Sequence, residues 1–97
     1  MAKHRAVKWP TVGKARLEAW RAESPKHRTQ TAIGLACGAS PSTVSRWLSG
    51  DMRPEPGVMR EAIERLTGIP HDAWKTVDER RDDESRLAKA SAAQGAA

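Results

Sequence analysis

The sequence predicts a small all-α bundle of four or five helices, and three observations carry that expectation. Capping residues and glycine stops recur: Thr11, Thr29 and Ser40 stand where helices can begin, and Gly38, Gly50 and Gly68 where they can end. Between these marks the large apolar residues fall at helical spacing. Ninety-seven residues with 38% hydrophobic content match one domain with one modest core. Phe and Tyr are absent, so four tryptophans supply all the aromatic bulk.

Residues 1–10, MAKHRAVKWP, form a basic lead without periodicity. It reads as a frayed end or as an arm lying along a polyanion, and Trp9 can alternatively fold back on the core. Thr11 caps a helix running to about Glu23, in which Leu17 and Trp20 share a face with Val12 or Gly13. Ser24-Pro25 ends it, because the residue before proline avoids helical geometry. Lys26, His27 and Arg28 then make a basic hinge before the Thr29 cap.

Gln30 to Leu48 is the centre of the chain and reads as two short helices around a tight turn. Ile33, Leu35, Ala36 and Cys37 are expected on the inner side of the first. Gly38 stops it, because glycine tolerates the left-handed conformation a helix end often needs. Ser40-Pro41 restarts the chain: serine is a preferred N-cap, and proline at the first helical position forfeits no amide bond. Val44, Trp47 and Leu48 then face inward, and Ser49-Gly50 closes the second helix.

A loop follows from Asp51 to Pro56, and a fourth helix is expected over 55–67. Its apolar stripe is Val58, Met59, Ala62, Ile63 and Leu66; Arg60, Glu61, Glu64 and Arg65 are expected on the solvated face. Pro70 to Trp74 suggests a last helical turn that docks Trp74. Residues 76–97 carry mixed charge, then Ala, Ser, Gln and Gly, with Val77 and Leu87 as the large apolars. Nascent helix from Glu79 to Ala93 is expected there, on a flexible tail with too little apolar surface to hold itself. The chain therefore divides into 1–10, 11–75 and 76–97.

Net charge is +5 with a pI near 10, which favours a polyanionic partner. Residues 1–30 hold eight Lys/Arg against two Glu, whereas residues 31–69 hold four of each sign. The excess thus leads into the first of the two short helices.

At Gln30, Gly34, Gly38 and Val44, and again in SGDMRP at 49–54 and LTGIP at 66–70, the sequence resembles the phage Cro and repressor family, also called XRE-like. The resemblance covers roughly Thr29 to Trp74. It implies a lambda-repressor-like helix-turn-helix that binds double-stranded DNA, with the helix at 41–48 in the major groove. The implied base-facing residues are Pro41, Ser42, Thr43, Ser45 and Arg46, and Ser40 before them is counted with the DNA-binding residues. Arg46 is the sharpest of these, since a guanidinium can bond both O6 and N7 of guanine. The resemblance also implies phosphate contacts from Gln30 and Arg53, and Arg28 lies close to the amino end of the same helix, which favours phosphate. The family has alanine where Gly34 stands, so Gly34→Ala is expected to be tolerated. The expected role is transcriptional repression in a bacterium or phage, with a homodimer on a palindromic site as the compatible assembly. The alternatives are a phage or plasmid accessory DNA-binding factor, an autoregulating antitoxin, and a protein-interaction module that kept the fold.

Other chemistry finds little support. One cysteine and three scattered histidines do not make a metal site. No hydrolytic triad, phosphate-cradling glycine loop or catalytic carboxylate pair is present, and neither enzyme activity, a cofactor nor a small-molecule ligand is expected. The single cysteine fits a reducing compartment, and no apolar run approaches a membrane span, so a cytoplasmic location is expected.

Overall fold

A computed structural model describes residues 7–95, with side chains described through residue 92. Five α-helices and one 3-10 turn follow in order: α1 (Val12–Ala22), α2 (Gln30–Cys37), α3 (Pro41–Ser49), α4 (Val58–Thr67), the 3-10 turn (His71–Trp74) and α5 (Val77–Gly95). The all-α class is as the sequence predicts. α3 packs on α2 and α1, α4 packs on α2, and the 3-10 turn lies against α1 and α4.

The helix starts follow from local hydrogen bonding. Thr11 Oγ1 accepts the Lys14 amide at 3.2 Å, Thr29 Oγ1 the Ala32 amide at 3.1 Å, and Ser40 Oγ the Thr43 amide at 3.2 Å. Each satisfies an amide that the first helical turn leaves unpaired. Gly38 ends α2 at φ 78°, in the left-handed region. The chain then folds back, and the Ala39 amide donates to the Gly34 carbonyl at 2.8 Å.

The core is Leu17, Ile33, Cys37, Val44, Trp47, Ile63, Ile69, Ala73 and Trp74, all at most 8% exposed. Trp74 docks as expected. It lies over α1 so closely that a Cβ on Gly13 would stand 2.5 Å from its ring.

Five expectations are corrected. Leu35 is 82% exposed, and Ala36 is exposed as well. Side chains turn about 100° per residue in a helix, so Ile33, Gly34 and Cys37 share the inner face and Leu35 points away. α4 begins at Val58 rather than near Glu55, because Gly57 holds φ 94° and ψ −126°, which no helical residue adopts. Val58 itself is 78% exposed. Arg60, expected in solvent, is 4% exposed. Its Nε donates to the Pro54 carbonyl at 2.8 Å, and its guanidinium stands 3.4 Å from His71 Nε2. Burial lowers its pKa, and the loop carbonyl supplies a partner that a buried cation needs. Finally, a Cβ on Gly34 would come closer than 3.0 Å to the Ala39 carbonyl oxygen. The turn therefore closes against Gly34, and an alanine there has no free space.

α5 occupies the expected tail and begins two residues before the expected nascent helix. Thr76 and Glu79 form a capping box: Thr76 Oγ1 accepts the Glu79 amide at 3.2 Å, and Glu79 Oε1 accepts the Thr76 amide at 2.9 Å. None of the described α5 side chains is buried. The two half-buried ones, Glu79 and Asp83, pair with Arg53 and Lys75, each at 2.5 Å. The Thr76 amide first, then Arg53, hold the Glu79 carboxyl below its usual range; the Lys75 ammonium does the same for Asp83. Lys75 is raised in turn, chiefly by its bond to Asp83.

A pH dependence follows. Depressed carboxyl pKa values give stabilisation that is complete above the ordinary carboxylate range and lost as pH falls through the lower, folded values. The raised Lys75 adds stabilisation that is complete below the ordinary lysine range and lost only above it. Docking of α5 is therefore expected to persist from mild acid to alkaline pH and to fail in strong acid. Amide shifts of Thr76 and Glu79 followed by NMR check this. A midpoint at the ordinary carboxylate value would mean that the pairs do not form.

Candidate functional site

α3 is pinned by Val44 and Trp47, which are 0% and 1% exposed. Helical geometry then turns Ser42, Ser45, Arg46 and Ser49 toward the opposite side. Pro41, Ser42 and Arg46 are exposed, and Ser45 is half-buried. Among the described residues Arg46 has no ion pair and no side-chain hydrogen bond. α3 contains no acidic residue, so this face carries one cation, hydroxyl groups and an uncancelled helix N-terminus.

Two of the hydroxyls expected to bind DNA serve the fold. Ser40 Oγ caps Thr43 and also lies 2.9 Å from Thr43 Oγ1. That pairing holds both oxygens in the cap and leaves the Thr43 methyl as its apolar group. Ser49 was not among the expected residues. Its hydroxyl donates to the Arg46 carbonyl at 3.1 Å and accepts the Asp51 amide at 3.4 Å, which closes the end of α3. The spacing 42, 45, 49 along one helix is the signal that would have found it.

Gln30, the first residue of α2, is half-buried and meets α3 in a groove of about 440 Å³. Glu18, Arg21, Ala22, Ser45, Leu48 and Ser49 complete its lining. The fold thus brings Gln30 and Ser45 to one groove.

Arg28 and Arg53 are placed differently from the sequence expectation. The Arg28 guanidinium lies 4.1 Å from the centre of the Trp20 ring, donates to the Trp20 carbonyl at 2.5 Å and pairs with Glu23 at 2.9 Å. Arg53 lies 3.9 Å from the centre of the Trp9 ring, donates to the Trp74 carbonyl at 3.1 Å and pairs with Glu79. Both cations are engaged within the protein, each between an aromatic face and a carboxylate. Trp9 therefore folds back, and its amide donates to the Gly50 carbonyl at 2.9 Å. The earlier part of the basic arm, with Lys3 and Arg5, lies outside the described residues.

No group of three or more His, Cys, Asp or Glu among the described residues is arranged to hold a metal. Cys37 is buried, and burial pushes its thiol pKa up, away from the reactive thiolate. Among the described residues no helix is long and apolar enough to cross a membrane. No family model, curated protein or solved structure matches the chain.

Proposed function

We propose that this chain is a sequence-specific double-stranded DNA-binding regulator of the XRE-like helix-turn-helix kind, acting in the cytoplasm of a bacterium or phage-infected cell as a repressor. The observation that carries the reading is the outward face of α3. Arg46 stands there exposed and unpaired, beside Ser42 and Pro41, on a helix locked from behind by Val44 and Trp47.

In this reading α3 enters the major groove. Arg46 bonds O6 and N7 of a guanine, Ser42 and Ser45 bond neighbouring base edges, and Pro41 with the Thr43 methyl packs on thymine. Gln30 holds a backbone phosphate at the flank and sets the angle of entry. Arg28 and Arg53 hold the hinge before α2 and the loop after α3. The protein needs no cofactor and performs no chemistry; a homodimer on a palindrome is the assembly proposed. Those cations of residues 1–30 that face the duplex supply the salt-dependent part of the affinity.

Selection from a random duplex library gives the preferred site, and anisotropy titrations then test Arg46. Arg46→Ala is expected to weaken the preferred site by about 1–3 kcal/mol and to relax one guanine position, with little change on random duplex. Equal loss on both duplexes would reduce Arg46 to a phosphate contact. Absence of any binding by the intact chain at low salt would reject the function.

A further inference from the structure

Arg21 is half-buried, with no ion pair and no side-chain hydrogen bond among the described residues. It sits in the last turn of α1. In the structure it lines the groove that also holds Gln30, Ser45 and Ser49. Its Nε is shielded from solvent and has no hydrogen-bond partner. A shielded donor of this kind is costly to leave unmet, more so when charged. A carboxylate lies in the same groove, but Glu18 is bonded to Lys14. Arg28 and Arg53 each have both an aromatic face and a carboxylate. Arg21 has neither among the described residues, although it lies on the same side of the molecule as Ser45.

We infer that Arg21 is a phosphate ligand of the DNA backbone, acting with Gln30 across the groove between α1, α2 and α3. This rests on the function proposed above and adds a contact to it. A phosphate oxygen seated in the groove meets the Arg21 guanidinium and the Gln30 amide. Guanidinium suits this partner, because its planar fork donates to two phosphate oxygens at once and is more weakly hydrated than an ammonium. The contact carries no sequence information. It fixes the register of α3 in the groove, so that Arg46 meets one base pair and not its neighbour.

The test is a salt titration of duplex binding by the full chain and by Arg21→Ala, Arg21→Lys and Arg16→Ala. Arg16 is exposed on α1 and serves as the charge control. Arg21→Ala should make the slope of log affinity against log salt shallower by about 0.9, which at 0.1 M salt is a loss of roughly eightfold. The loss should be the same on preferred and random duplex. Arg21→Lys should restore the slope, while Arg16→Ala should leave slope and affinity as in the intact chain. Thermal melts run beside the titrations separate a folding defect: a lowered melting temperature with an unchanged slope assigns Arg21 a structural role and overturns the inference. Equal slopes for Arg21→Ala and Arg16→Ala overturn it as well. If the intact chain binds no duplex, the proposed function fails first and the phosphate role of Arg21 falls with it, an outcome distinct from failure in the variant alone.

Discussion

Trp74→Ala is expected to destabilise the domain by about 3–5 kcal/mol, the usual range for truncating a buried tryptophan. Trp74 is 1% exposed and stands at the meeting point of α1, α4 and the 3-10 turn. Gly13 leaves the space its ring fills, and its carbonyl receives Arg53. The cavity has little chance to collapse, because the surrounding backbone is already in contact. Domains of this size melt about 4–8 °C lower per kcal/mol lost, so the melting temperature should fall by more than about 10 °C. Trp74→Phe should cost markedly less. It keeps most of the ring volume and removes an indole N–H that is buried without a partner. Calorimetry of the three proteins checks the order. An alanine variant that melts with the intact chain would mean that Trp74 is not a core residue.

Gly34→Ala is expected to destabilise the domain by about 1–2 kcal/mol, although two arguments for alanine exist at this position. Helix propensity favours alanine over glycine by about 1 kcal/mol. The family resemblance places alanine there as well. Against both stands the Ala39 carbonyl oxygen, which a Cβ would approach within 3.0 Å. That oxygen belongs to backbone that cannot swing aside, because the Ala39 amide is bonded to the Gly34 carbonyl and Ser40 caps the next helix. Overpacking against fixed structure typically costs about 1–3 kcal/mol, which exceeds the propensity gain. Gly34→Leu adds three more carbons in the same place and should unfold the domain. Urea titrations give the sign directly. A midpoint for Gly34→Ala at or above that of the intact chain would mean that the turn relaxes freely, and that the closeness of α2 to the turn carries no stability.

The parts of the fold that were legible in the sequence are those decided within a few residues. Thr11, Thr29 and Ser40 cap the helices they precede, and Gly38, Gly50 and Gly68 end the helices before them, all through bonds spanning three to five positions. The outward face of α3 was legible for the same reason, since Val44 and Trp47 settle it from within one helix. What was not legible depends on partners distant in sequence. Arg60 carries the same charge whether solvated or buried, and only the Pro54 carbonyl and His71 place it inside. Arg53 looks like a free loop cation until Trp9 and Glu79 arrive. Arg21 gains its meaning only when α2 and α3 bring Gln30 and Ser45 beside it. Leu35 and Thr76 are different cases. The angular position of Leu35 was readable from helical geometry, and Thr-x-x-Glu at 76–79 is a capping-box signature that marks the start of α5.

α5 also governs how the protein moves through solution. The Cα radius of gyration is 16.3 Å and the principal extents are 57 × 36 × 21 Å. A compact chain of this length would have a radius near 12.5 Å, by the usual scaling. The difference arises because a 19-residue helix of about 28 Å length packs little on the other helices and buries no described side chain against them. Friction grows with such elongation, so a single chain sediments more slowly and elutes earlier from a sizing column than its mass of 10.6 kDa implies. Elution volume therefore mixes shape with assembly in this protein, and light scattering, which reads mass without shape, is the measurement that separates one copy from two.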